Sequence, residues 1–133
     1  MSENIIMSAT ISIPNGPKIP LNLTLPVEAY DKIEITVPSG ATDLTVDLQP
    51  SAAGRVLFLL VASDWYGTML SYKTKAAGTS FILDEPHLLT GKGALTMLEP
   101  ATAISKLLFS NTTAGLDAKD AKVQILVGRD ATP

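Results

Sequence analysis

The chain has 133 residues, of which 46% are hydrophobic and only 17% charged, with a net charge of −3. That size fits one domain with a real core, and the low, mildly acidic charge argues against disorder and against holding a nucleic-acid backbone by bulk electrostatics. Cysteine is absent and His87 is the one histidine, which excludes disulfides, thiolate metal sites, cysteine nucleophiles and any scheme needing two imidazoles from one chain.

Residues 4–13 open the chain with period-two alternation. Ile5, Met7, Ala9, Ile11 and Ile13 are apolar, Ser8, Thr10 and Ser12 lie between them, and Ile6 breaks the pattern. Pro14-Asn15-Gly16-Pro17 is a turn signal. Ile19, Leu21, Leu23 and Leu25 then alternate with Pro20, Asn22 and Thr24, and Pro20 assigns this strand to an edge or an entry position. Pro26 to Tyr30 reads as a connection. Strands follow at 33–37 and 44–48, with turns at Pro38-Ser39-Gly40 and at Pro50 to Gly54.

Val56 to Ala62 is continuously apolar, the mark of a strand covered on both faces by its own fold or by a partner chain. Asp64-Trp65-Tyr66-Gly67 turns the chain. Residues 68–74 and 79–83 suggest a hairpin around Lys75 to Gly78. Asp84 to Gly93 reads as an irregular connection and Ala94 to Leu98 as a short apolar segment. Ile104 to Phe109 is a candidate strand, Asn111 to Lys122 a polar loop with room for one helical turn, and Val123 to Val127 a last alternating strand. Eight to ten short strands and no long helix predict an all-β fold. A two-sheet β-sandwich or jelly roll is expected, with a β-barrel as the alternative. Nothing divides the chain, so residues 1–133 form one domain. Residues 1–7 are either an N-terminal arm that adds a strand to a neighbour or the first strand of the chain's own sheet.

Motifs that carry chemistry are sparse. Asp84, Glu85 and His87 offer carboxylates beside an imidazole, but adjacent carboxylates on an extended chain point to opposite sides, and a loop histidine tied to a backbone group is the simpler expectation. Thr90-Gly91-Lys92-Gly93 lacks the spacing of a phosphate loop and reads as a glycine turn. Asp117 and Asp120 flank Ala118-Lys119 without the ligand spacing of a calcium loop. Asn22-Leu23-Thr24 and Asn111-Thr112-Thr113 match the glycosylation sequon, which has no force without a secretion signal, and the N-terminus shows none. No run reaches 18 apolar residues, so no bilayer span is expected. The expected reading is therefore not an enzyme, with no cofactor and no metal, and without nucleic-acid or membrane partners. Trp65, Tyr66 and Tyr72 concentrate the aromatic side chains that favour interfaces or sugar stacking. Low charge with apolar strands such as Ile5, Ile6 and Met7 points to dedicated assembly as a homo-oligomer.

Two stretches carry a resemblance: Gly54-Arg55-Val56-Leu57-Phe58-Leu59-Leu60-Val61, and the closing strand from Ala121 to Asp130 that follows Phe109-Ser110-Asn111. In these, and in size, absent cysteine and proline-paced strands, the chain resembles the small all-β cement or decoration proteins of tailed-phage capsids. The resemblance implies a virion structural protein on the outer surface of the capsid, made in the host cytoplasm. Its partner would be the major capsid protein, and a homotrimer is the favoured state. Interface candidates are Ile5, Ile6, Met7, Trp65, Tyr66, Tyr72 and His87. The alternatives are a carbohydrate- or ligand-binding β-sandwich using Trp65, Tyr66 and Tyr72, and another phage tail or head-fibre component.

Overall fold

The computed structural model describes residues 3–49, 55–99 and 104–130. Ten strands appear in chain order: β1 (Glu3–Ser12), β2 (Lys18–Val27), β3 (Ala29–Val37), β4 (Leu44–Asp47), β5 (Val56–Ser63), β6 (Leu70–Lys73), β7 (Phe81–Ile82), β8 (His87–Thr90), β9 (Lys106–Asn111) and β10 (Ala121–Arg129). One short helix, α1 (Lys92–Leu98), follows β8, and a 3₁₀ turn at Gly115–Asp117 precedes β10.

The last eight strands form two antiparallel four-stranded sheets, ordered β3-β10-β5-β8 and β4-β9-β6-β7. Strand β3 pairs with β10, β4 with β9, β5 with β8 and β6 with β7. The chain is thus one long hairpin, bent at Thr74–Ser80 and rolled so that successive ladders fall on alternate sheets. This is the jelly roll, the narrower of the two expected sandwich architectures and not the barrel. Alternation explains the layers. Ile33, Ile35 and Val37 of β3, Leu59 and Val61 of β5, Tyr72 of β6, Leu107 and Phe109 of β9, and Val123, Ile125 and Val127 of β10 meet in one core.

Several elements depart from the sequence expectation. The connection read at Pro26 to Tyr30 shrinks to a bend at Glu28, because Pro26 sits in β2 and β3 begins at Ala29. The irregular stretch before Gly91 contains β8, so His87 lies on a strand. Ala94 to Leu98 belongs to α1, whose Leu95 and Leu98, three residues apart, enter the core. The turn expected at Pro50 to Gly54 lies outside the described residues.

Strands β1 and β2 make a separate two-stranded sheet, ten residues long on each side. Residues 3–7 pair with Leu23 to Val27 at the base of a hairpin arm, and Met1 and Ser2 of the expected segment lie outside the described residues. At its tip the Gly16 N–H donates to the Ile13 carbonyl at 2.8 Å, and Asn15 has φ 58°. Proline second and a positive φ third are the signature of a type II turn.

The arm's base is seated by a glycine. A Cβ on Gly128 would lie 2.6 Å from Ile5 Cδ1, 3.0 Å from Val27 Cγ1 and 3.3 Å from Phe58 Cβ. Gly128 thus lets Ile5 and Val27 close over the outer face of the β10–β5 pair, burying Phe58 on the side away from the core. This answers what covers the second face of the Val56–Ala62 run there. Gly128→Val is expected to destabilise the protein by about 1–3 kcal/mol through overpacking, read as a lower urea midpoint without a change of slope.

Candidate functional site

Most of the exposed large apolar side chains among the described residues fall on three surfaces. The first is the arm. Its odd-numbered side chains share one face: Ile5, Met7, Ala9 and Ile11 of β1 oppose Leu25, Leu23, Leu21 and Ile19 of β2. The basal four of these other than Ala9 are half-buried near the sandwich. Toward the tip Ile11, Ile13 and Ile19 each expose more than half of their surface, and Ile6 on the opposite face exposes 74%. Ile11, Ile13, Ile19 and Leu21 are exposed there and are not among the interface candidates read from the sequence. The alternation of both strands around Pro14–Pro17 gives the apolar face, but a strand pattern does not say whether a third layer covers it.

The arm's backbone adds a second property. The Ile13 N–H donates to the Pro17 carbonyl at 3.0 Å, so these two form a hydrogen-bonded pair. Counting in twos down the ladder, the odd-numbered residues of β1 point their amide groups at β2, and Asn4, Ile6, Ser8, Thr10 and Ser12 point theirs outward. On β2 the outward row is Lys18, Pro20, Asn22, Thr24 and Pro26. Both prolines stand where an N–H would otherwise face solvent, which is where an edge strand tolerates them.

The second surface lies at one end of the sandwich. Trp65, Tyr66, Gly67, Met69, Leu116 and Lys119 line a depression of about 520 Å³, with Leu116 fully exposed. Trp65 is fixed there. Its indole N–H donates to the Asp120 carbonyl at 2.9 Å, and the Lys119 ammonium lies 4.4 Å over its ring. Tyr66 accepts the Ser63 N–H at 3.0 Å and leans on the core. Below this end, Asn111 is fully buried and uses all of its hydrogen-bonding capacity. It donates to the carbonyls of Val37 (3.1 Å) and Lys119 (2.8 Å) and accepts from the Thr113 N–H (3.1 Å) and hydroxyl (2.7 Å). The sequon asparagine is therefore a structural clamp.

The third surface is a groove of about 390 Å³ beside β8 and α1, lined by Phe81, Pro86, His87, Leu88, Leu89 and Met97 above Tyr72. The Tyr72 hydroxyl lies 2.6 Å from His87 Nδ1. Burial pushes the Tyr72 phenol well above its ordinary pKa, so it keeps its proton, and the imidazole tautomer decides which of the two groups donates in this bond. His87 is thus tied to a core tyrosine, not to the backbone group expected from the sequence. Asp84 and Glu85 are exposed in the bend that precedes it.

The aromatic residues do not converge. Tyr72 is fully buried against Phe81, His87 and Phe109, whereas Trp65 and Tyr66 sit at the far loop end with Lys119 over the indole face. A three-ring sugar platform is not formed. Among the described residues no three His, Asp or Glu side chains gather as metal ligands. Asp117 and Asp120 are exposed on either side of Lys119. Gly91, with φ 89°, precedes α1 as its cap, as a glycine turn requires. No helix among the described residues is long and apolar enough to cross a membrane. No protein-family model matches the chain, and no curated protein or solved structure matches it.

Proposed function

We propose that this protein is a virion structural component, a capsid cement or decoration module that binds between subunits of the major capsid protein on the outside of the head. The observation that carries the reading is the placement of exposed apolar side chains on three separate surfaces of one small jelly roll: the arm, the Met69–Leu116 end, and the flank of Ile82, Leu88 and Met97. An enzyme or a small-ligand module concentrates its recognition in one concave site. A module wedged among several subunits needs shallow contacts in several directions. The jelly roll supports the reading only by analogy, since lectin domains share it with viral capsids. The carbohydrate alternative loses its strongest support with the burial of Tyr72 and the lysine over Trp65.

The mechanism is area burial repeated over a lattice. Each contact is weak alone, and simultaneous contacts multiply through effective concentration. A protein bound at 100 times its dissociation constant adds about 2.7 kcal/mol per site to the assembled state. The test is co-sedimentation with heads assembled from the major capsid protein encoded in the same genome. Saturable binding at a fixed ratio with raised melting of the heads is expected. The variants Leu116→Asp and Met97→Asp, both at exposed positions, are expected to weaken it at least tenfold each. A chain that stays in the supernatant at tens of micromolar overturns the reading.

A further inference from the structure

We infer that the outer edge of β1 is a homodimerisation strand, pairing antiparallel with β1 of a second copy about a two-fold axis at Ser8. Natural sheets blunt their free edges with shortness, proline or charge. Strands β4, β7 and β8 end their sheets in four, two and four residues. Edge strand β3 carries Asp31, Lys32 and Glu34. The β2 edge has Pro20 and Pro26 in its outward row. Strand β1 has none of these protections. It runs ten residues with no proline, no lysine and no arginine, and its one charge is Glu3 at the end.

The row is self-complementary. An axis at Ser8 opposes Asn4 to Ser12, Ile6 to Thr10 and Ser8 to Ser8 of the two copies. Each opposed pair of outward residues exchanges two bonds, roughly ten backbone hydrogen bonds in all. No like charges meet, because Glu3 faces Ile13 of the other copy. The two apolar faces fall on the same side, with Ile5 opposite Ile11 of the second copy and Met7 opposite Ala9.

That alignment also covers the bare tips. Ile5 rests over Gly128, so each arm turns its apolar face toward its own sandwich. Pairing about Ser8 lays the tip of each arm, with Ile11 and Ile19, beside the seat of the other, where Tyr30, Leu60 and Leu126 share the outer sheet face with Gly128. The paired edges, roughly 30 Å long and 10 Å thick, bury about 600 Å² between the two copies. That alone is the size of a crystal contact. A stable dimer buries about 1,200 Å² or more, so the tip and seat contacts must supply the remainder. The β2 edge cannot substitute, so the pairing is two-fold and does not close a three-fold ring through β1 and β2.

The inference stands independently of the virion reading, because it concerns the isolated chain in solution. The experiment is light scattering on a sizing column over a dilution series, with the Trp65 emission reporting the fold. The wild type is expected at twice 14.0 kDa. Ser8→Pro removes the central outward N–H and leaves the ladder to β2 intact, and is expected to raise the dissociation constant at least 100-fold. Thr24→Pro makes the same change on the β2 outer edge and is expected to leave the dimer unchanged. Ile11→Lys, at an exposed position, is expected to weaken it at least tenfold. A wild-type monomer or trimer overturns the inference. So does a dimer that tolerates Ser8→Pro or Ile11→Lys, or one that Thr24→Pro disrupts equally.

Discussion

Replacing Asn111 by alanine is expected to cost the fold about 3–5 kcal/mol, the larger part of the stability of a marginal domain. The side chain is fully buried and makes four hydrogen bonds. Truncation strands the Val37 carbonyl and the Thr113 N–H, each at about 1–3 kcal/mol if no water replaces the amide, and takes one of two donors from the Lys119 carbonyl. The Thr113 hydroxyl suffers less, because Ser39 Oγ and the Lys119 carbonyl lie 3.1 Å away. Asn111→Asp separates the two halves of the clamp. The carboxylate still accepts from Thr113 but confronts two carbonyls it cannot bond. Folding then favours the protonated acid, whose pKa rises in the folded state. The penalty is expected to be full at pH 7 and to shrink as pH falls toward 4. Urea unfolding followed at Trp65 reads both variants, since the indole is bonded to Asp120 in the segment that Asn111 clamps. Asn111→Ala within about 1 kcal/mol of wild type would show that the clamp is not needed.

The all-β class and most strand positions were legible, because period-two alternation is a local signal. Ile33, Ile35 and Val37, or Val123, Ile125 and Val127, announce one buried face without knowledge of the partner strand. The elements that were missed have too few residues to show a period. His87–Thr90 is four residues between Pro86 and Gly91, and reads as loop until its pairing with Phe58 to Val61 is known. Helix α1 has seven residues and two core contacts, Leu95 and Leu98. The jelly-roll winding was not legible, since the β3–β10 pairing joins residues about ninety positions apart.

The candidate surfaces divide in the same way. The apolar face of the arm is written in the alternation around Pro14–Pro17, yet the exposure of Ile11 and Ile19 depends on the absence of a third strand beside them. Among the interface candidates, Ile6 is open, while Ile5 and Met7 are half-buried. Tyr72 and Trp65 look alike in the sequence as aromatic residues near turns. Their fates differ because Tyr72 occupies an inward position of β6 and Trp65 a loop.

The Tyr72–His87 contact gives the last expectation, a pH-dependent crossing between wild type and Tyr72→Phe. At pH 7 the variant is expected to be less stable by about 1–2 kcal/mol, because it loses the part-buried hydrogen bond between the Tyr72 hydroxyl and His87 Nδ1. The phenyl ring keeps the packing against Phe81 and Phe109, so no cavity opens. Above pH 10 the order changes. In the unfolded chain Tyr72 ionises near pH 10. In the folded chain burial raises its pKa, so the native state holds a proton that the unfolded state releases. Stability conferred by that proton is complete below pH 10 and declines as pH rises beyond it, by about 1.4 kcal/mol per pH unit. The wild-type advantage is therefore expected to vanish about one unit above pH 10 and to reverse beyond it. Urea midpoints at pH 7, 9, 10 and 11 measure the crossing, and parallel curves over that range would mean that Tyr72 titrates in the fold as it does in the open chain.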